Sequence, residues 1–120
     1  PAGVRTLDPA DRRYIGRYRG DMFARDAAYH NGTVWPWLIG AYAEAVLRAG
    51  GFSENARTEA RNAVAPLVAM MTGDSLGQLP EVFDGDDSTD EPRAADGCPA
   101  QAWSVAEPLR IMSLLCGAPA

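Results

Sequence analysis

Hydrophobic residues recur at helical spacing in three segments of the chain, which are separated by irregular stretches. The first segment begins at Thr33, a residue type that often caps helices, and ends at Gly50 and Gly51. Its apolar residues cover nearly the whole circumference, and Pro36 falls in the first turn, where a missing N–H is tolerated. The pattern therefore predicts a helix that is buried on most sides.

A second helix is predicted after Ser53, which is suited to cap it with Glu54 in the first turn. One face is apolar and the opposite face is polar, so we expect a solvent-exposed side. The apolar face holds Ala56, Ala60, Ala63, Val64, Leu67, Met70 and Met71, and the polar face holds Arg57, Thr58, Glu59, Arg61 and Asn62. Pro66 is expected to kink this helix or to loosen one turn.

The other segments are irregular or interrupted. Residues 1–32 show no sustained period and predict an extended segment with at most a short turn of helix. Residues 73–100 are rich in glycine, aspartate and proline and predict a long loop, in which residues 79–83 alone resemble a short extended piece. Residues 100–116 predict a third, mostly apolar helix that is interrupted by Pro108.

The length of 120 residues, of which 47% are apolar, corresponds to one folding unit, so residues 1–120 are taken as one domain. Three helices are too few to bury such apolar surfaces, so we expect this chain to be part of a longer one and the isolated piece to self-associate. Neither a membrane span nor a signal peptide is evident. A cytoplasmic location is therefore expected.

The net charge of −5 comes from one stretch of the chain. Residues 81–96 hold seven of the 16 acidic residues and one arginine, whereas the rest of the chain is nearly balanced. Six arginines in residues 5–25 alternate with aromatic residues, but aspartates interrupt that segment. A broad basic face is missing, so we expect no nucleic-acid partner.

Neither the acidic stretch nor the two cysteines predict a metal site. The four aspartates of residues 84–90 invite comparison with a calcium loop, but Thr89 and Ala95 replace the glycine and glutamate of an EF-hand. An acidic, solvated loop is predicted instead. Cys98 and Cys116 lack the spacing of zinc ligands, and two reduced, largely buried thiols are favoured over a disulfide. No cofactor is expected.

Three stretches carry a family resemblance: RTLDPADRRYIGRYRGD, RDAAYHNGTVWPWLIGAYAEAVLR, and GQLPEVFDGD followed by GCPAQAWSVAEPLR. They resemble the C-terminal region of glycogen debranching enzymes, the amylo-α-1,6-glucosidase family of glycoside hydrolases. The resemblance implies an all-α fold, with the chain as the C-terminal fragment of an (α/α)6 barrel that has about three main helices plus long loops. It also implies two partners, an α-glucan or glycogen oligosaccharide and the remainder of the debranching enzyme chain.

Glycoside hydrolysis requires two carboxyl groups, one of which protonates the leaving oxygen. Glu81 is the candidate for the other, because it lies among the apolar residues Leu79, Val82 and Phe83, which would fix its backbone. The resemblance implies that Glu81 is the general base of an inverting reaction and that the general acid is an aspartate upstream of this chain. Without the resemblance, Glu81 is simply an exposed loop carboxylate.

The predicted substrate-binding residues are Trp35, His30, Tyr29, Trp37, Gln101 and Trp103. Trp35 is the preferred sugar contact, whereas Trp103 and Gln101 are expected to anchor the last helix under the loop that carries Glu81. His30, the single histidine, is predicted either to bind a sugar hydroxyl or to tie its loop to nearby backbone. The aromatic residues have a second interpretation as ordinary core, because large rings dominate packing.

The chain is therefore predicted to be part of an enzyme that hydrolyses α-1,6-glucosidic branch linkages with inversion, and to be inactive by itself. Two alternatives remain. One is a non-catalytic glucan-binding or structural module, and the other is an α-glycosidase with a different sugar specificity, because a fold does not decide the substrate.

Overall fold

The computed structural model describes residues 3–73 and 75–117, which form four helices and one sheet of four short strands. The helices are α1 (Met22–Tyr29), α2 (Leu38–Ala49), α3 (Glu54–Thr72) and α4 (Ala102–Cys116). The strands are β1 (Val4–Arg5), β2 (Val34–Trp35), β3 (Val82–Phe83) and β4 (Ala95–Asp96), paired antiparallel in the order β1-β2-β3-β4. The prediction of an all-α fragment of an (α/α)6 barrel is therefore wrong.

The sheet joins segments that lie far apart in the sequence. Val4 pairs with Trp35, Val34 pairs with Phe83, and Phe83 pairs with Ala95. Each strand is two residues long, which is too short to show an alternating hydrophobic pattern. For that reason the sequence pattern predicted α2, α3 and α4 but missed the sheet, except that β3 falls within the predicted extended piece.

Helix α1 lies in the segment that was predicted to be extended and irregular. Asp21 caps it, because its side chain accepts a hydrogen bond from the backbone N–H of Ala24 at 2.9 Å. Seven of its eight residues are exposed or half-buried, and Ala28 is fully buried. So little burial gives a weak hydrophobic pattern, which explains why the prediction missed this helix.

Thr33 does not cap α2, contrary to the prediction. It precedes β2, and Trp37 stands at the start of α2. The Thr33 hydroxyl donates to the backbone carbonyl of Tyr29 at 2.6 Å and accepts the indole N–H of Trp35 at 3.0 Å. Thr33 is fully buried, and its side chain hydrogen-bonds the last residue of α1 instead of capping α2.

Helices α2, α3 and α4 pack on one another and form the core. Ser53 caps α3 as predicted, and α3 and α4 continue through Pro66 and Pro108, so the predicted interruption of the third helix is wrong. The central buried residues are Ile39, Ala43, Leu47, Ala60, Val64, Leu67, Leu79, Ile111 and Leu115. Arg57, predicted on the polar face, is buried instead, with hydrogen bonds to the carbonyls of Phe52 and Leu115.

A close approach between α2 and α4 is possible because residue 40 is glycine. A Cβ atom there would overlap the side chain of Glu107. Arg110 of α4 reaches across this contact and bonds Glu44 of α2 at 2.6 Å and Glu107 at 2.8 Å. These ion pairs link the middle of α4 to α2.

Asp84 fastens the N-terminal segment to the end of β3, although the sequence predicted a solvated acidic loop. It is buried at 6% exposure, forms an ion pair with Arg17 at 3.1 Å and accepts the backbone N–H of Tyr18 at 2.7 Å. Asp86 accepts the Tyr14 hydroxyl at 2.9 Å. The acidic loop is therefore partly a structural element.

Both cysteines are free, as predicted, but both are exposed, so the prediction of buried thiols is wrong. Within residues 3–73 and 75–117, the helices are too short or too polar to cross a membrane. Several large apolar side chains are exposed, and these are available for the predicted self-association. They are Ile15, Met22, Phe23, Tyr42, Leu76, Trp103, Leu109 and Leu114.

The Asp84–Arg17 contact predicts a specific loss of stability. Asp84→Asn keeps the side-chain shape but removes the closest counter-ion of the half-buried Arg17, so the free energy of unfolding should fall by about 1–3 kcal/mol. Asp90→Asn, at an exposed position of the same loop, should change it by less than about 0.5 kcal/mol. Urea unfolding measures both values, and equal effects of the two substitutions would contradict the structural role of Asp84.

Candidate active site

The carboxylate of Glu81 is fixed by three hydrogen-bond donors just before β3. Its Oε1 accepts the Tyr29 hydroxyl at 2.5 Å and the Gln101 side-chain amide at 3.3 Å. Its Oε2 accepts the backbone N–H of Cys98 at 3.0 Å. Glu81 is half-buried, so this carboxylate is held in one place by the protein.

Backbone pairing on both sides of Glu81 positions it. The Glu81 N–H donates to the carbonyl of Cys98 at 2.8 Å, which extends the pairing of β3 with β4. The N–H of Gln101 donates to the carbonyl of Leu79 at 2.9 Å and fixes the start of α4 beside the same segment. Two buried neighbours, Leu79 and Val82, anchor the segment in the core.

Five rings form a continuous row beside Glu81, and we call them the aromatic row: Tyr29, His30, Trp35, Trp103 and Trp37. Tyr29 meets the edge of Trp35 at a centroid distance of 4.8 Å, and His30 stacks on Trp35 at 5.3 Å. Trp35 meets Trp103 at 6.1 Å, and Trp103 stacks on Trp37 at 5.5 Å. These are ordinary separations for interacting aromatic rings.

The rings of the row differ in exposure. Trp35, the preferred sugar contact from the sequence, is 5% exposed, and its indole N–H is shared between the Tyr29 carbonyl and the Thr33 hydroxyl. Trp103 is 46% exposed, Trp37 is half-buried and His30 is exposed. Trp35 is therefore the buried member of the row, and the rings accessible to a ligand are those of Trp103, Trp37 and His30.

The seven residues predicted for the site all lie in this one region. Glu81 contacts Tyr29 and Gln101, and the other four belong to the aromatic row. Among the described residues, the His30 side chain makes no hydrogen bond to neighbouring backbone, and its ring stacks on Trp35 instead. Gly97 and the backbone of Cys98 were not predicted as part of the site; the Asp-Gly pair at residues 96–97, a turn signal, could have indicated them.

The hydroxyl of Tyr29 donates a short hydrogen bond to the carboxylate of Glu81. Burial, and then the hydrogen bond to the Glu81 carboxylate, raise the pKa of Tyr29 well above the ordinary tyrosine value. The hydroxyl therefore stays protonated throughout the neutral range. The ionised form of a carboxylate is the form that can take a proton from water.

A separate groove of about 610 Å³ lies between the N-terminal segment and helices α2 and α3. Tyr42 and Glu59, joined by a hydrogen bond of 3.0 Å, are part of its lining. None of the seven predicted site residues lines this groove. We place the candidate site at Glu81 because that is where a fixed carboxylate and exposed aromatic faces meet.

Comparison with known families identifies the family of this chain. Residues 1–110 match the model of the amylo-alpha-1,6-glucosidase family, so the chain belongs to that family. The resemblance predicted from the sequence is thereby confirmed, and the chain is related to the glycoside hydrolases of glycogen debranching. Searches of curated proteins and of solved structures give no match.

The raised pKa of Tyr29 predicts a pH-dependent contribution to stability. A group whose pKa is higher in the folded state stabilises the fold while it is protonated, and this contribution is lost as the pH rises past its unfolded value of 10.0. The difference in free energy of unfolding between the wild type and Tyr29→Phe should therefore be constant below about pH 9 and shrink above about pH 10.

Urea unfolding at a series of pH values, followed by circular dichroism, measures this difference. The other three tyrosines are common to both proteins, and the chain has no lysine, so their difference isolates Tyr29. A difference that stays constant up to about pH 11 would show that the hydroxyl is not held as described.

Proposed function

We propose that this chain supplies the water-activating half of an α-1,6-glucosidase active site, with Glu81 as the general base of an inverting reaction. The observation that carries the proposal is the convergence of a fixed carboxylate with an exposed aromatic row, in a chain that belongs to the amylo-alpha-1,6-glucosidase family. The acidic partner in the reaction comes from a different part of a longer enzyme chain.

In the proposed reaction, a water molecule beside Glu81 gives one proton to the carboxylate while its oxygen bonds to the anomeric carbon of the terminal glucose. The bond between that carbon and the branch oxygen breaks, and a second carboxyl group protonates the leaving oxygen. In inverting enzymes the two carboxyl groups lie about 6.5–9.5 Å apart, which leaves room for the water. The family resemblance assigns the second group to an aspartate upstream of this chain.

The aromatic row is proposed to hold the sugar next to Glu81. A pyranose ring has an apolar face, and Trp103 and Trp37 offer stacked, partly exposed rings to cover it. His30, exposed and stacked on Trp35, is in position to hydrogen-bond a sugar hydroxyl. Trp35 keeps these rings in place, since it contacts Tyr29, His30 and Trp103.

A second candidate function is glucan binding without cleavage. It is favoured because hydrolysis requires two carboxyl groups, and Glu81, which bonds Tyr29 of the aromatic row, supplies one of them while the family resemblance assigns the other to a residue upstream of this chain. The isolated chain is then a binding surface, and cleavage requires the rest of the enzyme.

The sugar specificity is part of the same proposal. The family points to α-1,6-linked glucose as the substrate, whereas a related α-glycosidase with the same fold could accept another sugar.

Glu81→Gln tests the catalytic assignment. In the longer enzyme chain that contains these residues, this change keeps the shape of the side chain but removes its ability to take a proton. Release of glucose from a branched maltooligosaccharide should fall by roughly 100-fold or more, with saccharide binding retained. Asp90→Asn, an equivalent charge removal at an exposed loop position, serves as the control. Wild-type turnover in the Glu81→Gln enzyme would refute the proposal.

Trp103→Ala tests the sugar platform. Removing this ring, which is 46% exposed, should weaken binding of a branched maltooligosaccharide to this chain by roughly tenfold, about 1.4 kcal/mol. Phe23→Ala, which removes an exposed ring outside the row, should leave binding unchanged. Isothermal titration calorimetry gives both dissociation constants, and equal values for the two variants would place the sugar elsewhere.

A further inference from the structure

The two oxygens of the Glu81 carboxylate have different surroundings. An ionised carboxylate oxygen has two acceptor sites. Those of Oε1 are both used, by the Tyr29 hydroxyl and the Gln101 amide. Oε2 accepts the Cys98 N–H and keeps one acceptor site. A water molecule that approaches Glu81 therefore finds a free acceptor at Oε2.

Space at Oε2 depends on Gly97. Its backbone has φ +73°, and a Cβ atom built on it would lie 2.6 Å from Glu81 Oε2 and 3.0 Å from Glu81 Cβ. Real Cβ atoms do not approach other atoms so closely, so any other residue at position 97 would push the carboxylate aside. Gly97 is thus needed both for its backbone conformation and for the room it leaves beside Oε2.

Tyr29 is badly placed to serve as a sugar platform. Its ring already contacts three others, with centroid distances of 4.8 Å to His30, 4.8 Å to Trp35 and 5.7 Å to Tyr18. Its hydroxyl is committed to Glu81. Gln101 is similarly occupied, because its amide bonds Glu81 and its backbone N–H bonds Leu79. Both side chains face the carboxylate.

We infer that Tyr29 and Gln101 are positioning residues, which saturate Oε1 of Glu81 so that Oε2, kept open by Gly97, is the oxygen that takes the proton from water. This inference rests on the proposed function and replaces a direct sugar-binding role for the two side chains. The proton moves from the water to Oε2 as the water oxygen bonds to the anomeric carbon, and Oε1 keeps its two donors throughout.

The first test is Tyr29→Phe in the longer enzyme chain, with kinetics on a branched maltooligosaccharide. The ring and its packing remain, and one donor to Oε1 is lost, so kcat should fall roughly 10- to 100-fold while KM changes little. Tyr14→Phe is the matched control, since it also removes a hydroxyl that donates to a carboxylate, that of Asp86, and it should have wild-type kinetics. A raised KM with unchanged kcat for Tyr29→Phe would make Tyr29 a sugar contact and overturn the inference.

The second test is Gly97→Ala, which places a methyl group against Oε2 while the Tyr29 hydroxyl stays available. We expect kcat to fall roughly tenfold or more. Gly51→Ala is the control for backbone strain, because Gly51 has φ +57° and no described atom lies within 4 Å of the place where a Cβ atom would sit. Thermal melts of both variants show whether they fold, and wild-type kcat in a folded Gly97→Ala enzyme would overturn the role of Oε2.

The outcomes separate this inference from the proposed function. If Glu81→Gln retains full turnover, the proposed function fails and the positioning roles fail with it. If Glu81→Gln is inactive while Tyr29→Phe and Gly97→Ala both keep wild-type kcat, the proposed function stands and the inference about the two oxygens is refuted. A Gly97→Ala enzyme that does not fold leaves Tyr29→Phe, with its KM and kcat, to decide.

Discussion

The pairing of β2 with β3 is the constraint on which the site depends. Val34 and Phe83 are 49 positions apart in the sequence, and their pairing sets the end of α1 beside the segment that carries Glu81. Both strands are buried, so the register is held by the core as well as by backbone hydrogen bonds. Without this contact, Tyr29 and Glu81 would belong to unrelated parts of the surface.

The site reflects a balance between burial and solvation. A carboxylate that loses water must regain hydrogen bonds from the protein, and Glu81 has three donors for this purpose. Asp84, three residues further along the chain, is buried, and an ion pair with Arg17 compensates for its lost hydration. Within residues 3–73 and 75–117, no counter-ion contacts Glu81, whereas Asp84 is paired with Arg17 and holds the N-terminal segment to the sheet.

The sequence predicted α2, α3 and α4 and a set of candidate site residues. It did not predict the four-stranded sheet that brings those residues together. Helices α2 and α3 have long apolar faces, and Ser53 is a clear cap, so their existence follows from local rules. The motifs around Tyr29, Glu81 and Trp103 predicted the candidate site residues through family resemblance. The sheet was missed because its two-residue strands derive their order from partners far along the chain. Burial of Trp35 likewise depends on tertiary neighbours that no local pattern reveals.

Tyr29, the last residue of α1, bonds Glu81 through its hydroxyl and accepts hydrogen bonds through its backbone carbonyl. The position of the Glu81 carboxylate therefore depends on α1 staying folded. An eight-residue helix has little stability of its own and depends on its docking contacts, here the bonds from Thr33 and Trp35 to the Tyr29 carbonyl. Such peripheral elements open at a lower free energy than the core does. Warming should therefore loosen the Tyr29–Glu81 contact while α2, α3 and α4 are still packed.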